Sequence, residues 1–180
     1  MRDIAVVYRS ICGHTKKYAE WIANELDADI FDEQKVKVKK LDEYKCIVFG
    51  GGIYASGIIG SSLITNNFEM FSRKKLVVFA VGLTENPSAE EFERILIHNF
   101  SFVQQKLITS FYLRGGIDYK KMPIVHKAML ASKKASIEKK EDKSEEEKLF
   151  LKTYGIGIDF TDVNSIKPIV DHVKSLYIKD

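Results

Sequence analysis

Residues Ile4 to Thr15 read IAVVYRSICGHT. Ile4 to Val7 form a short apolar run rich in β-branched side chains, the signature of a strand buried on both faces. The turn that follows is small and polar, with Ser10, Cys12, Gly13 and Thr15 in quick succession. Tyr18, Ala19, Ile22, Ala23 and Leu26 then recur with helical spacing. The stretch therefore reads as strand, polar turn, helix. A helix beginning inside such a turn aims free N–H groups and the positive end of its dipole at whatever sits over the turn. Phosphate is the guest this arrangement predicts.

Working outward, Ala28 to Phe31 reads as a second strand, and Val36, Val38 and Leu41 continue a sparse apolar pattern through a lysine-rich connection. Cys46 to Gly50 is another buried run, closed by Gly50, Gly51 and Gly52. Glycines at a strand end let the backbone approach a ligand closely and take positive φ where needed. Ile58 to Phe71 is helix-like, and Lys75 to Val81, KLVVFAV, is the clearest strand of the chain. A loop from Gly82 to Pro87 leads to Ser88-Ala-Glu-Glu91, a capping box opening a helix with Phe92, Ile95 and Leu96 on its buried stripe. Ile108 to Leu113 is a fifth strand ending at Gly115-Gly116. An extra helical segment runs from Asp118 to about Lys152, and Thr161-Asp-Val-Asn starts a last helix through Tyr177.

Strands alternating with helices imply right-handed crossovers and a parallel sheet covered on both faces. The predicted fold is α/β, a doubly wound five-stranded parallel sheet of order 2-1-3-4-5, in one domain over residues 1–180, with the helical insertion near its C-terminus. In such sheets the ligand sits at the carboxyl ends of the strands, at the switch point between strands one and three. The loops after strands one, three and four all fall at that end.

At 180 residues, with 45% hydrophobic and 29% charged side chains, the chain suits a globular protein with a sizeable core rather than a disordered one. No apolar run approaches the roughly 20 residues needed to span a bilayer. Met1-Arg2-Asp3 leads directly into the first strand with no signal sequence, so a cytoplasmic address is expected. Cys12 and Cys46 lie on different strand segments and are expected to be reduced thiols. The net charge of +3 and pI of 8.7 do not call for nucleic acid, and none is expected as a partner. Most of the excess charge sits between Lys120 and Lys140, with seven lysines against Glu138 alone, before an acidic run at Glu141 to Glu147 that reads as a solvated face or flexible join.

YRSICGHT resembles the Y-x-S/T-x-T-G-x-T phosphate loop of the flavodoxin-like family, which holds the terminal phosphate of FMN. Ser10, Gly13 and Thr15 match it, Cys12 replaces a hydroxyl residue, and His14 stands where Asn is frequent. The resemblance implies that Ser10, Ile11, Cys12, Gly13, His14 and Thr15 hold the phosphate. It implies further that Gly51, Gly52, Ile53 and Tyr54 flank one side of the isoalloxazine, with backbone N–H groups toward its pyrimidine, and that Gly82, Leu83, Thr84 and Glu85 flank the other. Within the family, the Tyr-Lys-Cys-Ile-Val-Phe-Gly-Gly-Gly-Ile-Tyr block from Tyr44 to Tyr54, the insertion after a Gly-Gly strand end and the Thr161-Asp162 block are most similar to the menaquinone-dependent protoporphyrinogen dehydrogenase type. Gly52 replaces a small hydroxyl residue of that type, and its arginine-rich insertion is matched only in part by Lys120, Lys121 and Lys127.

The chemistry expected is that of the flavin, with no side chain nominated as acid or base. His14, His98, His126 and His172 are scattered and close no metal site. Neither Ser10 nor Cys12 has a base partner legible in sequence. One role is an oxidoreductase on a small porphyrinogen or quinone, with the insertion and Lys120, Lys121 and Lys127 shaping the substrate site. Others are an electron carrier between redox partner proteins and a flavin-free binding or regulatory domain; the mildly basic charge tilts the reading to the enzyme. In the insertion, Ile124, Val125, Ala128, Met129, Ser132, Ala135 and Ser136 give residues 123–139 a narrow apolar face beside a basic one. That face is expected to pack on its own domain, or else to make the peripheral membrane or quinone contact of residues 120–140.

Overall fold

The computed structural model describes residues 3–177. Met1 and Arg2, the start of the expected leaderless N-terminus, lie outside the described residues. Five strands form the parallel sheet: β1 (Ile4–Arg9), β2 (Asp29–Asp32), β3 (Cys46–Tyr54), β5 (Lys75–Gly82) and β6 (Ile108–Arg114). Their order is β2-β1-β3-β5-β6, the doubly wound order predicted, and every neighbouring pair is parallel. The short β4 (Gly57–Ile58) folds back antiparallel onto the end of β3.

Alternation along the strands divides the core into two layers. Val6, Val48, Val77 and Phe79 face α1 (His14–Leu26) and α8 (Lys167–Ser175), where they meet Tyr18, Ile22, Ile169 and Val173. Ala5, Val7, Ile47, Phe49 and Val78 face the other side, against α2 (Ser62–Asn66), α3 (Phe68–Phe71) and α4 (Ala89–Asn99), and α5 (Phe102–Leu107) follows with no buried residue of its own. The capping box at Ser88 and Glu91 forms as predicted, and a second at Ser101 and Gln104 opens α5, a helix absent from the sequence reading.

Several boundaries differ from expectation for physical reasons. The second strand is shifted one residue, to Asp29–Asp32. β3 does not stop at its glycines but runs through all three, because they serve packing: a Cβ on Gly50 would lie 2.0 Å from Cζ of Phe79, and one on Gly51 would lie 2.5 Å from the carbonyl oxygen of Ile59. Residues 58–71 are not one helix. β4 takes the start, and α2 and α3 are separated at Asn67, whose side-chain amide donates to the carbonyl of Leu63. The last helix begins as a 3₁₀ turn at Val163–Ile166, with the Asp162 carboxylate accepting from the Asn164 N–H.

The insertion is more ordered than one helical segment. β7 (Gly116–Ile117) and β8 (Ile158–Asp159) pair antiparallel at its base, and α6 (Ile124–Glu138) and α7 (Glu145–Thr153) rise from that ribbon. The acidic run is not a loose join, since Ser144 and Glu147 form a third capping box at the start of α7. A small apolar cluster of Cys12, Ile117, Met122, Ile137 and Phe150 fastens the insertion to the turn after β1. Cys12 thus sits in that turn rather than on a strand. Among the described residues no helix is long and apolar enough to cross a membrane.

Candidate functional site

The site begins where β1 delivers the chain into α1. Gly13, the N-cap of α1, has φ +100°, a left-handed conformation that a residue with a Cβ rarely adopts. Its N–H donates to Oγ of Ser10 at 3.1 Å, closing the turn. The first-turn N–H groups of α1 have no intrahelical acceptor and point out of the helix end. Thr15, only 3% exposed, lines the adjoining cavity. A Cβ on Gly52 would stand 3.6 Å from the Thr15 Oγ1, so the glycine leaves that hydroxyl open to the cavity.

The cavity, about 610 Å³, lies at the carboxyl ends of β1, β3 and β5. Pockets of roughly 300–1,000 Å³ hold small molecules and cofactors. Of the residues singled out in sequence, Ser10, Ile11, Cys12, His14, Thr15, Gly52, Ile53, Tyr54, Gly82, Leu83 and Thr84 line it. Gly13, Gly51 and Glu85 do not: Gly13 shapes the turn, Gly51 is packed under Ile58 and Ile59, and Glu85 points to Arg114. The backbone of Gly51 to Tyr54 is also not the free loop expected. Gly51 and Gly52 sit in the β3–β5 ladder, and Ile53 and Tyr54 pair with Ile58 and Gly57. The turn exposed to the cavity at this end is Ala55-Ser56, both residues at positive φ.

The second flank is braced from both sides. Tyr112 donates its hydroxyl to the carbonyl of Thr84 at 2.7 Å, and Nε of Arg114 donates to that of Leu83 at 3.4 Å. Arg114 also pairs with Glu85 at 3.0 Å and lies over the ring of Phe160. From α7, the Glu146 carboxylate accepts the Glu85 N–H at 3.1 Å. Burial pushes the Tyr112 hydroxyl up to about 12, so it remains a donor at neutral pH.

The insertion supplies a wall through residues that the sequence reading did not name for the site. Met122, His126, Leu130 and Lys133 border the cavity, facing Arg94 and Ile95 of α4. His126 stacks on Tyr54 with ring centroids 4.3 Å apart, and its Nδ1 is buried without a hydrogen-bond partner among the described residues. Tyr54 in turn directs its hydroxyl to within 3.7 Å of Sγ of Cys12, whose thiol donates to the carbonyl of Asp118. Burial, reinforced by Cys12, raises the Tyr54 pKa. Lys120, Lys121 and Lys127 lie off the cavity; the insertion's cation on its wall is Lys133. His126 carries no motif, and only the fold brings it to Tyr54.

α6 also reverses the predicted orientation. Ile124, Val125, Ala128, Met129, Ser132, Ala135 and Ser136 are all exposed, while His126, Leu130 and Ile137 turn inward. At the base, Nζ of Lys17 donates to Asp159 at 3.1 Å and to Thr161 at 2.8 Å, and Nε2 of His14 lies 3.9 Å from Asp159. Burial would raise the Asp159 carboxyl, but hydrogen bonds from Thr161 and Lys17 outweigh it and hold it at about 2. Burial lowers the His14 pKa against the opposing pull of Asp159 and Asp118.

A turn of this kind, with Ser10 and Thr15 hydroxyls, open first-turn N–H groups and no carboxylate of its own, fits the phosphate of a nucleotide cofactor. Several solved structures are similar to part of this chain. An archaeal flavodoxin is 16% identical over 66% of this chain and 87% of its own, with a TM-score of 0.41. Oxidised flavodoxin 2 from Bacillus cereus is 21% identical over 62% and 84%, with a TM-score of 0.42. The Trp repressor binding protein of Bacillus subtilis is 23% identical over 62% and 83%, with a TM-score of 0.44. No curated protein matches in sequence. Weight rests instead on the family model described as flavodoxin domain, which matches residues 5–145. That span holds the turn at Ser10 to Thr15, the segments beside it and most of the insertion, and the chain belongs to the flavodoxin-domain family.

Proposed function

We propose that this chain binds FMN in the cavity and acts as an oxidoreductase on a small molecule of the quinone or porphyrinogen type. Ser10, Thr15 and the N–H groups of Ile11, Cys12, His14 and Thr15 hold the phosphate. Tyr54 with the Ala55-Ser56 turn, and Leu83 with Thr84, flank the ring. The flavin, when bound, supplies the redox chemistry; the protein binds it, orients it and sets the electrostatics around it.

The observation that carries the reading is α6 standing over the cavity. A carrier presents its flavin edge to another protein, whereas His126, Leu130 and Lys133 wall this cavity from α4 and leave a slot suited to a small molecule. Lys133 and Arg94 give the slot cations for an anionic substituent, and the His126 ring, stacked on Tyr54, forms part of its wall.

The test is anaerobic mixing of FMN-loaded, dithionite-reduced protein with a soluble benzoquinone. Saturable reoxidation, with the half-saturating concentration raised by Lys133→Gln and His126→Gln, is the expected result. Reoxidation only by a protein acceptor, with no saturable reaction with quinone or porphyrin probes, contradicts the proposal.

A further inference from the structure

We infer that the outward face of α6 docks on an anionic lipid surface. A helix packed on its own domain normally turns its apolar stripe inward. α6 does the opposite. Ile124 is 83% exposed, Val125 69% and Met129 40%, and the small residues Ala128, Ser132 and Ala135 continue the same stripe. The inward side is given to His126, Leu130 and Ile137.

Charge identifies the occupant. At 3.6 residues per turn, Lys133, which also edges the cavity, falls on one border of the stripe, and Glu138 and then Lys127 lie beyond the other, with Lys120 just before the helix. No acidic residue occupies the first turn of α6. Lys134 is held by Glu138, but Lys120 and Lys127 form no ion pair among the described residues. An apolar stripe bordered by lysines is the pattern of a helix lying in a lipid interface, its large side chains among the acyl chains and its lysines reaching the headgroups. A second copy would set these lysines against their own kind. A partner protein would need pockets or knobs to grip, and beyond Met129 the stripe offers only alanine and serine. Ile124, Val125, Lys120 and Lys127 lie off the cavity, whereas Met129 and Lys133 edge both surfaces, so flotation is measured on the FMN-free chain.

Flotation of the full chain with extruded vesicles tests this. With an equimolar mixture of phosphatidylcholine and phosphatidylglycerol the protein is expected to float, and with phosphatidylcholine alone the bound fraction falls about tenfold. Ile124→Glu with Val125→Glu, both on exposed positions, lowers binding to the mixed vesicles by a similar factor while leaving the circular dichroism spectrum unchanged. Absence of flotation on the mixed vesicles, or equal flotation of the double variant, overturns the inference. So does a dimer in sedimentation velocity that the same double variant dissolves, because a second copy would then cover the face.

Discussion

Ser10 and Thr15 are the side chains on which the proposed phosphate binding turns. A hydrogen bond to a charged group contributes about 1.5 kcal/mol or more, so Ser10→Ala with Thr15→Ala lowers FMN affinity on the order of a hundredfold in a fluorescence titration; unchanged affinity would move the phosphate elsewhere. His14 reports on the other side of the same turn. Burial holds its pKa below the ordinary value of about 6.5, so the unfolded chain takes up a proton before the folded one does. Stability is therefore full above about pH 6.5 and declines as the pH falls below it. Thermal melts of the FMN-free protein between pH 7 and pH 5 should show this decline, and His14→Gln should flatten it. Asp159, held at about 2, adds a separate loss between about pH 4 and pH 2. The turn through Ser10, Gly13 and Thr15 between β1 and α1 was readable because strand, small residues and helix follow one another locally. His126 was not, because its pairing with Tyr54 spans the insertion and leaves no local mark.

At the scale of elements, β3 shows how one residue type serves two ends. Its glycines looked like the end of a strand, yet Gly50 lies beneath the ring of Phe79 in the sheet interior. Gly50→Ala overpacks that contact and costs about 2 kcal/mol, read as a lower urea midpoint with an unchanged slope. A midpoint equal to wild type would mean Phe79 moves aside freely. α6 teaches the converse lesson. Its apolar residues have helical spacing, so the helix was legible, but spacing says nothing about which side meets the domain. His126 turns inward there because part of the inner side borders a cavity, while Leu130 and Ile137 pack in the insertion's own apolar cluster. The five strands of the parallel sheet were legible, since buried parallel strands are short apolar runs between glycine and polar turns, whereas the two-residue β4, β7 and β8 were not. α5 escaped because it is only six residues long and its apolar residues Phe102, Val103 and Leu107 are all exposed, so no buried face marks it.

The whole molecule is a sheet with two packed layers, carrying an insertion that has its own small apolar cluster and reaches back to the phosphate turn. The order of strands followed from alternation and crossover rules, whereas the insertion's base needed the ribbon of β7 and β8, each too short to show a pattern. Because the insertion rests on few buried residues, its amides in α6 and α7 should exchange with solvent faster than those of β3 and β5. FMN binding should slow exchange at Ile117 to Met122, which pack near Cys12; no change there would uncouple the insertion from the cofactor turn. The central claim, that the turn at Ser10 to Thr15 and the loops beside it form a flavin site, is tested most directly by a visible spectrum. Purified protein is incubated with FMN and passed through gel filtration. Flavin bands retained at one equivalent per chain, and lost in the Ser10→Ala/Thr15→Ala variant, are the predicted result. A folded protein that emerges colourless would contradict it.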